Sequence, residues 1–221
     1  SPVNSDDEER AADIIRQELP DVHLSLSQDI GRVGLLEREN ATIINAALRD
    51  LASEVVDGLI GVLEQLAISA SLYLTQNDGT LMGVDRVRRY PVSTFASGAT
   101  NSMRGAAALT GIDNCAVIDI GGTTSDIGIL RNGFPREAGT AIDVAGVRTN
   151  FRMPDVVSIG IGGGSRIQAD GLEVGPDSVG YRLASEALVF GGGTLTATDI
   201  AVAAGRAEIG DPKRVAHLST D

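Results

Sequence analysis

Asp119 and Asp126 enclose the tetrad Gly121, Gly122, Thr123 and Thr124, and no other stretch of the chain is better equipped for chemistry. The glycines let main-chain N–H groups approach an anion closely, and the two hydroxyls can donate to its oxygens. Asp119 follows the apolar run Ala116-Val117-Ile118, so it stands at the end of an expected buried strand. One carboxylate in that position can hold Mg2+ or its water shell, because this ion takes one or two carboxylates together with phosphate oxygens. The catalytic expectation falls on Asp119 and Asp126, the metal expectation on Asp119, and the phosphate expectation on the tetrad. A second reading stands beside it: Asp-x-Gly-Gly also builds a plain hairpin turn with no ligand. A Walker loop is excluded, since no Gly-Lys-Ser/Thr occurs and the only lysine is Lys213.

The second constellation is Gly162-Gly163-Gly164-Ser165. Gly160-x-Gly162-x-x-Ser165 imitates a dinucleotide fingerprint, but the third glycine is missing and no acidic residue stands where a Rossmann unit needs one, which argues against NAD. Bare backbone after a strand lets a planar ring slide against it, with Ser165 and Arg166 at its edge; a glycine-rich turn without a ligand fits equally. The small-residue helix entered at Ser97-Gly98 offers free N–H groups to an anion, or tight packing against a sheet. Thr196-x-x-Asp199 reads as a helix cap. With only His23 and His217, neither a His-rich zinc site nor a Ser-His-Asp triad has material. Cys115 is expected in the core. As the one cysteine it permits no internal disulfide, which fits a reducing, cytoplasmic setting.

Composition narrows the partners. A net charge of -12 argues against nucleic acid or an anionic membrane surface. No stretch approaches the roughly 20 apolar residues of a membrane span. With 27 glycines and 3% aromatics, the core must be Val, Ile, Leu and Ala, with backbones brought close by glycine.

The elements that must position these residues follow from periodicity and turn chemistry. A helix is expected from Ser5, with a Ser5/Glu8 capping box and an apolar face of Ala11, Ile14, Ile15 and Leu19. Val22 to Ser27 alternates as a strand. Residues 35–68 read as one long helix or two, with Gly58 and Gly61 as weak points and Arg38, Glu39 and Asn40 at a solvated start. Two short strands flank a turn at Asn77-Asp78-Gly79, and Asp85 to Arg89 reads as a charged exposed turn. After the central bend, Arg131-Asn132-Gly133 marks a hairpin pairing Asp126 to Leu130 with Pro135 to Ala138. Strands are expected near 141–144 and 156–159, turns at Asp170-Gly171 and Gly175-Pro176, a helix from Tyr181 to Phe190, and a capped helix from Thr196 to Ala204.

On these residues the chain resembles the hydantoinase/oxoprolinase family of ATP-dependent ring-opening enzymes, in the central to carboxy-terminal part of the hydantoinase A-type subunit. The segments that carry the likeness include Ser1-Pro-Val-Asn4, Glu37 to Ala47, Asp119 to Asp126, Gly162 to Ser165, Val174 to Ser178 and Thr196 to Asp199. The family usually has Ser-Gly-Pro-Ala-Gly-Gly, whereas this chain reads Ser97-Gly-Ala-Thr-Asn-Ser102, and Val157 stands where a His often precedes the triple glycine. The resemblance implies an α/β, actin-like ATPase (ribonuclease H-like) lobe with a mixed sheet and flanking helices. It implies a helical connecting segment over 1–90 and a second actin-like lobe with the phosphate loop over 91–221, together one incomplete unit. It further implies ATP and Mg2+ as cofactors, with Asp119 to Asp126 as the second phosphate loop and Gly162 to Arg166 near the adenosine. The expected substrate is a cyclic amide of the hydantoin or 5-oxoproline type. The expected partners are a missing amino-terminal domain of a longer parent chain and a second subunit, so the isolated piece is expected to be inactive. Two alternatives stay open: an actin-like nucleotide-binding module or assembly subunit without catalysis, and a sugar kinase. Kinases carry Asp-x-Gly-Gly-Thr near the amino terminus, unlike the mid-chain position here.

Overall fold

In the computed structural model, which describes residues 4–139, 141–168 and 173–218, the acidic stretch after Ser5 forms α1 (Asp6–Glu18). Its first turn carries Asp6, Asp7, Glu8 and Glu9 at the positive end of the helix dipole. The capping box expected of Ser5 and Glu8 does not form. Glu8 instead accepts from the Ser27 amide and hydroxyl and pairs with Arg38 at 3.5 Å. These polar contacts, rather than apolar periodicity, set the rotation of α1: Ala12 is buried, while Ile14 and Leu19 of the expected apolar face are 61% and 58% exposed. Residues 22–26 are not a strand. Side chains of the following long helix hold this segment instead, Arg49 donating to Leu24 O at 2.8 Å and Asn45 to Ser25 Oγ at 3.0 Å. One turn, α2 (Ser27–Ile30), follows.

The helical run is a single helix, α3 (Leu36–Gln65), which passes through Gly58 and Gly61 without a break. Its start is not wholly solvated as expected, since Arg38 is 7% exposed and held by its ion pair with Glu8. β1 (Tyr73–Thr75) and β2 (Leu81–Gly83) pair antiparallel about the Asn77-Asp78-Gly79 turn. The basic stretch expected as a turn is helix α4 (Val84–Arg89), stabilised because Val87 is buried on one side while Arg88 and Arg89 reach Asp57 and Asp29 on others. The hydrogen bond within the Arg88–Asp57 pair shifts both members: it lowers the Asp57 carboxyl and raises the Arg88 guanidinium. Helix α5 (Ser97–Thr110) ends at Gly111, whose φ of 70° is the left-handed geometry of a helix terminator.

β3 (Cys115–Ile120) and β4 (Ser125–Arg131) follow, joined by the Gly-Gly-Thr-Thr bend. β3 is not the buried strand expected: Ile118 and Ile120 are 62% and 70% exposed, because no described element packs over that face. Cys115 is half-buried rather than a core residue. Asn132 and Gly133, both at positive φ, make the expected hairpin turn to β5 (Phe134–Pro135), with Leu130 opposite Pro135. A second hairpin, β6 (Ile142–Val144) with β7 (Val147–Thr149), turns at Ala145-Gly146. β8 (Val156–Ile159) lies antiparallel to β4, with Ser125 opposite Ile159 and Asp126 opposite Ser158. β9 (Ser165–Ile167) pairs with β10 (Val174–Ser178), which contains the Gly175-Pro176 pair expected as a turn. The turn expected at Asp170-Gly171 and the first three residues lie outside the described residues.

The helix expected from Tyr181 to Phe190 is broken into short turns, of which only α6 (Leu183–Glu186) is α-helical. Ala187 is extended and fully buried, bridging to Thr194, so packing overrides helix propensity there. Helix α7 (Ala197–Ala203) carries the capping box expected of Thr196 and Asp199.

Two compact units result. One comprises Ser1–Cys115 and Ile129–Asp155, the other Ala116–Gly128 and Val156–Asp221. The first is cored by Ala41, Val92 and Phe151, with the Phe95 and Phe151 rings edge to face at 5.6 Å, and by a smaller cluster of Val56, Met82 and Val87. The second is cored by Ala187, Val189, Val202 and Val215. Among the described residues no helix is long and apolar enough to cross a membrane.

Candidate functional site

Both glycine constellations fall in the second unit, and they meet. The Gly163 amide donates to Gly121 O at 3.0 Å and the Gly164 amide to Gly122 O at 2.6 Å, so the triple glycine forms the back of the Gly-Gly-Thr-Thr bend. Backbone must lie on backbone for this to happen. A Cβ at Gly162 would stand 2.6 Å from Gly121 O and 2.7 Å from both Gly122 C and Thr123 N, and one at Gly164 would stand 2.9 Å from Gly122 O. The close approach of the two loops accounts for glycine at these positions.

Further bonds fix the support. Thr198 donates its amide and its hydroxyl to Gly163 O, each at 2.9 Å, from the first turn of α7. Ser125 Oγ donates to Ile161 O at 2.6 Å, and the Val179 amide to Gly164 O at 2.9 Å. Ser165, expected at the edge of a bound ring, is fully buried, with its Oγ accepting from the Gly162 amide at 2.9 Å. Arg166 is turned to Glu186 at 3.3 Å. Ser178 Oγ reaches Gly122 O at 3.5 Å. Ser125, Ser178 and Thr198 are supports that the sequence does not single out; the only signal for Thr198 is its place inside the capping motif.

Asp199 anchors this support from behind. It is fully buried and accepts from the Val189 amide, the Thr196 amide and the Thr196 hydroxyl at 2.8, 2.7 and 2.8 Å. It is therefore a structural acid and not a catalyst, as its capping position foretold. Asp199→Ala leaves all three donors without an acceptor, and we expect it to lower the unfolding free energy by about 2–3 kcal/mol. Chemical denaturation checks this; a change within 0.5 kcal/mol, the scatter of surface substitutions, would contradict it.

The front of the bend is open. Gly121, Gly122, Thr123 and Thr124 are all exposed, although the Gly121 amide is held by Thr124 O at 2.9 Å. Among the described residues, the amides of Gly122 and Thr123 and the hydroxyls of Thr123 and Thr124 make no hydrogen bond. The Asp119 carboxylate, half-buried on β3, likewise has neither hydrogen bond nor ion pair. Asp126, on the neighbouring β4, is engaged, accepting from Ser158 Oγ across to β8. Among the described residues no group of three or more His, Cys, Asp or Glu could enclose a metal. A divalent ion at Asp119 would thus take its other ligands from phosphate and water, the habit of Mg2+. Free amides, free hydroxyls and one unpaired carboxylate suit a phosphate chain with its magnesium.

A bend of this kind, backed by a second glycine loop, belongs to the actin-like ATPase fold, and comparison with solved structures agrees. The ATP-dependent caprolactamase from Pseudomonas jessenii superposes with a TM-score of 0.72 at 27% identity, covering 95% of this chain and 31% of that one. A nucleotide-free acetone carboxylase gives 0.58 at 22% identity over 97% of this chain and 33% of that one, a likeness of fold. The chain is a member of the hydantoinase/oxoprolinase family, whose model matches residues 38–210. Among its relatives are the caprolactamase subunit alpha of Pseudomonas jessenii, 29% identical over 213 residues, and the acetophenone carboxylase gamma subunit of Aromatoleum aromaticum, 25% identical over 217. The chain spans 30% and 29% of the length of these two relatives.

Proposed function

We propose that this chain supplies the second phosphate loop of an ATP-dependent enzyme that opens a cyclic amide of the hydantoin or 5-oxoproline type. The observation that carries the reading is the exposed, hydrogen-bond-free front of the Gly121 to Thr124 bend beside the unpaired Asp119 carboxylate. The Gly122 and Thr123 amides and the Thr123 and Thr124 hydroxyls donate to phosphate oxygens. Asp119 holds Mg2+ or its water, and Asp126, oriented by Ser158, serves as a further acid in the same cleft. Gly162, Gly163, Gly164 and Ser165 back the bend and keep it rigid. ATP with Mg2+ would supply a phosphoryl group to the amide oxygen; addition of water at that carbon, cleavage of the ring C–N bond with protonation of the departing nitrogen, and hydrolysis of the resulting acyl phosphate by a second water would give the open-chain carboxylate, ADP and phosphate. The residues named contribute position and charge neutralisation, which is most of what phosphoryl transfer asks of a protein.

The fold and family support ATP use, and the coverage of about a third of each relative supports a parent with a further domain and a partner subunit. A second reading, ATP-dependent carboxylation, is favoured by the acetophenone carboxylase relative. The test is ADP release by the full-length parent with its partner subunit, given ATP, Mg2+ and either 5-oxoproline, hydantoin, or acetophenone with bicarbonate. ADP formed in step with ring opening supports the proposal. Dependence on the ketone and bicarbonate selects carboxylation, and ADP release indifferent to every organic substrate leaves a nucleotide module alone.

A further inference from the structure

Helix α3 leaves its richest apolar face uncovered. Its buried residues are Arg38, Ala41, Asn45 and Val56, two of them polar. Leu51, Val55, Leu59, Val62 and the capping residue Leu66 are instead between 41% and 63% exposed. Steps of four, four, three and four keep these five side chains on one stripe. At 1.5 Å per residue the stripe runs for about 22 Å, four turns of helix. Beside it lies an apolar groove of about 210 Å3, walled by Leu48, Leu51 and Val55 on one side and by Leu74, Pro91 and Phe95 on the other. All of these residues belong to the first unit, and no described element packs over the stripe. A groove of this form is the surface on which an amphipathic helix lays its apolar face.

Gly58 stands within the stripe, three residues after Val55 and four before Val62. A Cβ there would meet nothing within 4 Å, so no contact inside the chain requires glycine, although glycine weakens a helix. Its bare backbone does let a second helix come close.

The border of the stripe has one sign of charge. From Asp50 to Asp85 the sequence contains no Lys, Arg or His, yet it carries Glu54, Asp57, Glu64 and Asp78 between those ends. Asp50, Glu54 and Glu64 are exposed and have no ion pair among the described residues. The neighbouring cations are committed elsewhere: Arg49 donates to Leu24 O at 2.8 Å, Arg88 pairs with Asp57 at 2.7 Å, and Arg86 and Arg89 lie over the Tyr90 ring at 5.0 and 5.2 Å. A second copy of this chain would bring acid against acid, with a net charge of -12 on each partner.

We propose that this face docks a helix of a different polypeptide, one with a Leu- or Ile-rich stripe of four turns bordered by Lys or Arg that meet Glu54 and Glu64.

Fluorescence anisotropy on this chain is the test, with three helical peptides of about 18 residues: Leu at heptad positions a and d with Lys at e and g, the same with Glu at e and g, and the Lys composition in scrambled order. The Lys peptide is expected to bind saturably, and the Glu and scrambled peptides at least about tenfold more weakly. Leu51→Gln combined with Val62→Gln, both at half-exposed positions, is expected to weaken the Lys peptide about tenfold with Tm unchanged. Gly58→Gln is expected to raise Tm, because glycine is the poorer helix former, and yet to weaken the peptide about tenfold by filling its path. Glu54→Gln should narrow the gap between the Lys and Glu peptides. The proposal is overturned if the scrambled or Glu peptide binds as tightly as the Lys peptide, or if the double variant and Gly58→Gln leave binding unchanged. Dimerisation of the chain alone that the double variant abolishes would assign the face to a second copy, and equal attachment to phosphatidylcholine vesicles would assign it to lipid. A full-length parent that ignores the peptide this chain binds would show the groove filled by the parent itself, which also overturns the proposal. The stripe shares no residue with the phosphate bend, so either reading can fail without the other.

Discussion

Gly162→Ala is expected to destabilise the Ala116–Gly128 and Val156–Asp221 unit by about 4 kcal/mol and to abolish phosphate binding at the bend. The added Cβ would meet Gly121 O, Gly122 C and Thr123 N, all at 2.7 Å or less and all main chain, so no side-chain rotation relieves the overlap. The two loops must separate, breaking the Gly163 to Gly121 and Gly164 to Gly122 hydrogen bonds and releasing the bend that they hold. Gly122→Ala is the contrast, because a Cβ there meets nothing within 4 Å. It should leave stability within about 0.5 kcal/mol, the scatter of surface substitutions, while obstructing the approach of an anion to the amides. Thermal unfolding of both variants separates the two effects. Equal stability of Gly162→Ala and the parent sequence would contradict the packing argument.

The other large effect is on turnover. If Asp119 holds Mg2+ as proposed, Asp119→Asn in the full-length parent is expected to lower ATP-coupled ring opening about 10^3-fold, because the replacement preserves shape but removes the negative charge. Its carboxylate makes no hydrogen bond or ion pair among the described residues, so stability should change by less than about 1 kcal/mol. Turnover within a factor of about three of the parent would remove Asp119 from the metal role, a difference below 1 kcal/mol in barrier height. Asp126→Asn should cost less, since Asp126 is already engaged with Ser158.

The bend was legible because its signal is local. A β-branched run, an acid, two glycines and two hydroxyls lie within a few residues of one another, and the Asn132-Gly133 turn fixes the hairpin beyond them. The Thr196/Asp199 cap was legible for the same reason. What the sequence hid was long-range. Glu8 looks like a capping partner for Ser5, yet it reaches Ser27 and Arg38. Residues 22–26 have strand alternation, but α3 side chains hold Leu24 O and Ser25 Oγ and no strand pairs with the segment among the described residues. The helix expected from Tyr181 fails at Ala187, whose burial against Val189, Val202 and Val215 outweighs its local preference. Ser165 was placed at a ligand edge because it follows three glycines, whereas the structure turns it inward to hold the Gly162 amide. The meeting of Gly162 to Gly164 with Gly121 and Gly122 across 40 residues leaves no mark in either segment beyond the glycines themselves.

The central claim is that a phosphate chain rests on the free amides in front of this bend. Amide chemical shifts of the 15N-labelled chain, titrated with Mg-ATP and separately with adenosine, test it most directly. We expect the Gly122, Thr123 and Thr124 amides to move with Mg-ATP and to stay in place with adenosine. Nucleotide binding that shifts other amides and leaves these three unmoved would contradict the account.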